Sequence, residues 1–72
     1  MIKKYKADVE ESMQAFYESL SEKDRRRYAA IETLKLPYGG QTYISGILGC
    51  DFKTIQQGLS DLADEKELKK NG

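Results

Sequence analysis

Seventy-two residues carrying 12 basic and 12 acidic side chains describe one small domain, because a chain of this size buries only about 60% of its unfolded surface and has one core to spend. One cysteine and no histidine exclude an internal disulfide, the usual zinc sites and every Ser-His or Cys-His nucleophile, so no catalysis, metal or cofactor is expected. No apolar run approaches the roughly 20 residues that cross a bilayer, and the opening segment Met1 to Glu11 carries charges where a signal peptide needs an apolar stretch; the reading is a cytoplasmic chain with no membrane and no small-molecule partner.

In chain order, Val9, Met13, Phe16, Tyr17 and Leu20 fall on one helical stripe, predicting a first helix over about 7–19. Ser21 then has the chemistry of an N-cap, with Glu22 and Asp24 suited to the positive end of a second helix that runs to about Leu36. Tyr28, Ile31 and Leu34, with Ala29 and Ala30 between them, are its expected inward face. Pro37 disfavours helical geometry at the residue before it, and Leu36-Pro37-Tyr38-Gly39-Gly40 reads as a turn.

From Gln41, the residues Ile44, Ile47 and Leu48 supply two turns of apolar face, and Gly49 ends them, since glycine alone takes the left-handed C-terminal geometry without a Cβ penalty. Asp51 is placed to cap a last helix whose apolar positions are Phe52, Ile55, Leu59 and Leu62. The stretch 64–72 is mostly charged and is expected to fray. The adjacent carboxylates Glu10-Glu11 and Asp64-Glu65 point about 100° apart on a helix and read as solvated charge.

Two helices joined by a three-residue turn that contains glycine have the spacing of a helix-turn-helix, here over about 41–62. Ser45 is the small residue expected where the two helices cross closely, and Cys50 the small hydrophobe that plugs the core after the turn glycine. The expected fold is therefore all-α: one domain over 1–72, about four helices with a homeodomain-like trihelical core.

The wider pattern points the same way. Leu20-Ser21-Glu22-Lys23-Asp24-Arg25-Arg26-Arg27-Tyr28-Ala29-Ala30, then Tyr38-Gly39-Gly40, Gly49-Cys50, Thr54-Ile55, Gly58-Leu59 and Leu62 resemble the N-terminal region of a bacterial insertion-sequence DDE transposase family, the Rhodopirellula-type group. The resemblance covers roughly residues 17 to 62. It implies a helix-turn-helix that recognises the terminal repeats of the element, with catalysis in a separate RNase H-like domain. None of these residues matches that domain, so no acidic residue here is expected to inherit a catalytic role. The chain departs from the family pattern at the last helix, with Asp51-Phe52 where Ser-Arg is usual and Gln57 where an arginine precedes Gly-Leu.

On double-stranded DNA, the outward positions of the last helix would be Lys53, Gln56, Gln57 and Ser60, with Phe52 at the margin. Glutamine amides suit adenine N6 and N7, and lysine suits guanine or a phosphate. Gln41 and Thr42 open the preceding helix and, with Tyr43, are candidate phosphate contacts through backbone amides and the helix dipole. Arg25, Arg26 and Arg27 are further phosphate candidates, but three consecutive helical residues span about 200° of arc, and pairing with Glu22, Asp24 or other acids is the competing reading. Lys3, Lys4 and Lys6 suit a basic arm.

Two other readings stay open. The stripe Tyr5, Val9, Met13, Phe16, Tyr17 would join a partner helix or a second copy in an interaction module, and a stand-alone transcriptional regulator would share the same DNA chemistry.

Overall fold

The computed structural model describes the backbone of residues 3–71 and the side chains of residues 3–66. Four helices follow in order: α1 (Ala7–Ser19), α2 (Glu22–Leu34), α3 (Gly40–Leu48) and α4 (Phe52–Asn71). Among the described residues there is no strand, and the fold is all-α.

Local chemistry explains the helix ends. At the start of α2 the hydroxyl of Ser21 accepts the backbone N–H of Asp24 at 3.3 Å. The helix stops at Leu34, two residues before the expected Leu36, and the amide of Leu36 turns back to the Thr33 carbonyl. That shorter end follows from Pro37, which removes the helical option for its predecessor. The chain then folds through Gly39, at φ +95°, into α3, with the Gly40 amide on the Pro37 carbonyl at 3.0 Å.

The α3–α4 connection is as tight as the spacing predicts. Gly49 adopts φ +69°, and the amides of Gly49 and Cys50 both donate to the Ser45 carbonyl, at 2.9 and 3.2 Å. Asp51 caps α4: one carboxylate oxygen accepts both the backbone N–H and the hydroxyl of Thr54, each at 3.0 Å.

Met13, Ala29, Ala30, Ile44, Leu48 and Ile55 form the buried core, and Tyr5, Tyr17, Tyr28, Leu36, Tyr43, Ile47, Cys50 and Leu59 pack around it. One expectation needs correction here. The inward face of α2 is Ala29 and Ala30, both fully buried, while Ile31 and Leu34 are 43% and 60% exposed. On α3, Ser45 is half-buried and its hydroxyl bonds the Thr42 carbonyl at 2.9 Å. A further close crossing, which no sequence spacing announced, lies between α2 and α4 at Gly58, where an added Cβ would stand 2.6 Å from the Arg26 carbonyl carbon and 3.0 Å from the Ala30 Cβ. Small residues on both helices let the backbones nearly touch, and that approach turns the larger Ile31 and Leu34 to the side.

The tail also differs from expectation. Residues 64–71 continue α4 as helix instead of fraying, while Gly72 lies outside the described residues. Glu and Lys dominate this stretch and are strong helix formers, and Glu65 is tied back to Arg27 of α2.

Candidate nucleic-acid interface

The left-handed turn at Gly49 and the Asp51 cap together decide which side of α4 faces outward. Ile55 and Gly58 are buried and Leu59 is half-buried, so the opposite arc presents Lys53, Gln56, Gln57 and Ser60 to solvent, as the sequence positions suggest. Phe52 is 48% exposed at the edge of this arc, and Thr54 is half-buried and bound to Asp51. The four polar positions form one strip of amide, hydroxyl and ammonium groups over the first three turns of α4. Its chemistry is hydrogen bonding with one fixed positive charge.

Asp51 places a negative charge at the head of that strip. Its hydrogen bonds from Thr54 hold the carboxyl below the usual aspartate range, so at neutral pH it is ionised and offsets the positive end of α4. The strip therefore carries little net charge, in keeping with a chain whose formal charge is zero.

Along the strip, Gln57 differs from its neighbours. Its Nε2 donates to Asp61 Oδ1 at 3.0 Å, and the other oxygen of Asp61 pairs with Arg26 Nε at 3.4 Å. Asp61 was not legible as a site residue, although its i+4 spacing from Gln57 was a readable signal; its link to α2 was not.

The three consecutive arginines go to three different places. Arg25 lies over the end of α1, donating from Nε to the Tyr17 carbonyl at 3.0 Å and from Nη2 to the Glu18 carbonyl at 2.6 Å, with its guanidinium 5.6 Å from the Tyr17 ring centre. It satisfies the Glu18 carbonyl, shares the Tyr17 carbonyl with the Leu20 amide, and places a cation at the negative helix end. Arg26 meets Asp61. Arg27 bridges Asp24 at 2.6 Å and Glu65, which raises its own pKa and holds the Asp24 carboxyl below its usual range. The acid-pairing alternative thus describes Arg26 and Arg27, and Arg25 pairs with backbone.

At α3, Gln41 and Thr42 open the helix, with Thr42 exposed and Gln41 half-buried; the Gln41 Nε2 is buried with no hydrogen-bond partner. Tyr43 points inward from the same turn. Its hydroxyl donates to Glu10 Oε2 at 2.5 Å and accepts the Tyr5 amide at 2.7 Å, while its ring tilts against that of Tyr5 at 5.7 Å. The Tyr43 hydroxyl thus ties the segment before α1 to α3, and burial followed by the Glu10 contact pushes its pKa up. An open groove of about 540 Å³ runs past it, lined by Lys4, Glu10, Tyr38, Thr42 and Gly46 among others.

Cys50 is half-buried beside Tyr17, and burial raises its thiol pKa, which favours the unreactive neutral form. Among the described residues no group of three or more His, Cys, Asp or Glu is placed to hold a metal ion, and no helix is long and apolar enough to cross a membrane. No family model, no curated protein and no solved structure matches the chain.

Proposed function

We propose that this chain is a DNA-binding helix-turn-helix module that inserts α4 into the major groove, with Gln56 and Gln57 touching base edges and Lys53 a guanine or a phosphate. One observation carries the reading: a glycine at positive φ and an aspartate cap set α4 so that its buried arc faces the core and an unbroken polar strip faces out. The amides of Gln41 and Thr42 at the start of α3 are placed to take a phosphate. By the sequence resemblance, the target class is the terminal repeats of an insertion sequence, and catalysis would belong to a separate domain.

Zero formal charge sets the expected character of binding. Few phosphates are neutralised, so nonspecific affinity is weak and the salt slope shallow, and discrimination rests on the amides. Selection from a random duplex pool at ~50 mM salt, followed by anisotropy titration, tests this: a defined site should be enriched, and Gln56→Ala with Gln57→Ala should weaken it at least tenfold, since each good amide–base pair contributes ~1–3 kcal/mol. Failure to enrich any sequence, or equal affinity for scrambled duplex, refutes it.

A second reading, an interaction or dimerisation module, is favoured by the exposed Phe16 and Ile31, which with Leu20, Tyr28 and Leu62 line an apolar groove of about 290 Å³. Sedimentation equilibrium separates the two readings: a monomer across the micromolar range counts against self-association.

A further inference from the structure

A primary amide has two N–H donors and one carbonyl acceptor, and its use as a reader depends on which way it is turned. At Gln57 the turn is decided from within the protein. One N–H donates to Asp61 Oδ1 at 3.0 Å; flipping the amide would aim its carbonyl at a carboxylate instead. The carboxylate is itself held. Its second oxygen pairs with Arg26 Nε at 3.4 Å, and Arg26 sits on α2 at the point where the Arg26 carbonyl packs against Gly58 with no room for a Cβ.

The remaining N–H and the carbonyl Oε1 of Gln57 are left on the exposed arc of α4. This donor–acceptor pair matches adenine, which offers N7 as acceptor and N6–H as donor in the major groove. Gln56, one residue earlier and also exposed, has no such tether among the described residues. The Gln57 hydrogen bond is also the largest influence holding the Asp61 carboxyl below its usual range, with Arg26 acting in the same direction, so the acceptor stays ionised at neutral pH.

We propose that Asp61, braced by Arg26 of α2, is the positioning residue that fixes the Gln57 amide as an adenine reader. The proposal rests on the DNA-binding reading and goes further by dividing the two glutamines: Gln57 supplies discrimination at one base pair and Gln56 adapts to its neighbour. It also assigns Arg26 to the brace and away from phosphate.

The test uses the full chain and a duplex selected from a random pool, with each A·T pair of the selected site changed to G·C in turn. For the unaltered protein, one such change should weaken binding about tenfold, within the range of a single amide–adenine pair. Gln57→Ala should erase that penalty and leave the others. Asp61→Ala should reduce the same penalty to about threefold or less while affinity for scrambled duplex stays level or rises, because a negative charge has been removed. In the Gln57→Ala background, Asp61→Ala should change nothing further at that pair. Asp61→Asn keeps one oxygen for Gln57 but sets its amide nitrogen against the Arg26 guanidinium, so its penalty should fall between those of the alanine variant and the unaltered protein, and an unchanged circular-dichroism spectrum of Asp61→Ala guards against a folding defect.

A full penalty in Asp61→Ala, an equal loss at every position, or an additive effect in the double variant overturns the proposal while leaving DNA binding intact. Absence of any enriched duplex overturns both.

Discussion

Gly58→Ala tests the helix crossing on which the exposure of α4 depends. The new Cβ would overlap the Arg26 carbonyl, lying 2.6 Å from its carbon and 3.0 Å from the Ala30 Cβ. The obstacle is backbone, so no side-chain rotation relieves it, and α2 and α4 must part by roughly 1 Å. A gap of that size forfeits about a quarter to a half of each dispersion contact across it, here those of Ala29, Ala30, Ile55 and Leu59. Overpacking of a well-packed site costs about 1–3 kcal/mol, and a rigid backbone obstacle belongs at the upper end. Alanine returns about 1 kcal/mol in helix propensity, leaving a net loss of about 2 kcal/mol. In a domain of this size that lowers the Tm by roughly 8–16 °C.

The control is in the same chain. Gly46 is also helical, but nothing lies within 4 Å of a Cβ built there, so Gly46→Ala should stabilise by about 0.5–1 kcal/mol and raise the Tm by a few degrees. Circular-dichroism melts of both variants decide the matter: if Gly58→Ala melts at or above the unaltered protein, the close crossing is wrong.

Two further outcomes are expected. Arg25→Ala should cost about 1 kcal/mol in urea denaturation by freeing the Glu18 carbonyl and removing the second donor to the Tyr17 carbonyl, and Arg25→Lys should restore little of it because an ammonium lacks the two-pronged geometry; an unchanged midpoint would show that the arginine does not cap α1. Asp51→Ala should lower the Tm by less than Gly58→Ala does, and Asp51→Asn should stay near the unaltered protein. Because the folded-state pKa of Asp51 is depressed, its charge-dependent contribution is present above the ordinary aspartate value of about 4 and is lost as pH falls through the lowered one. The Tm difference between the unaltered protein and Asp51→Asn should therefore change below about pH 4 and be flat from there to neutral; a difference that drifts across the neutral range would contradict the assignment.

Much of the site was legible because its signals are local. The capping chemistry of Ser21 and Asp51, the turn at Gly49 and the outward arc of Lys53, Gln56, Gln57 and Ser60 each depend on residues within a few positions of one another, and helical periodicity carries them. The destination of the arginines was not legible in the same way. Arg27 keeps the local partner Asp24 that the sequence offers, but Arg26 and Arg27 also reach Asp61 and Glu65, 35 and 38 residues away, and no local pattern selects those partners. Tyr43 likewise reads as a candidate phosphate contact beside a helix start until α1 is packed against it and Glu10 takes its hydroxyl.

Helix number, the caps at Ser21 and Asp51, the stop at Gly49 and the polar arc of α4 follow from the sequence alone, since each is a competition settled within a turn or two of backbone. Which face of α2 turns inward, where two helices touch, and how the Gln57 amide is aimed were decided only by tertiary structure. Ala29 and Ala30 are buried in place of Ile31 and Leu34 because Gly58 admits α2 to within backbone contact. Such closeness belongs to the pair of helices, and neither segment carries it by itself.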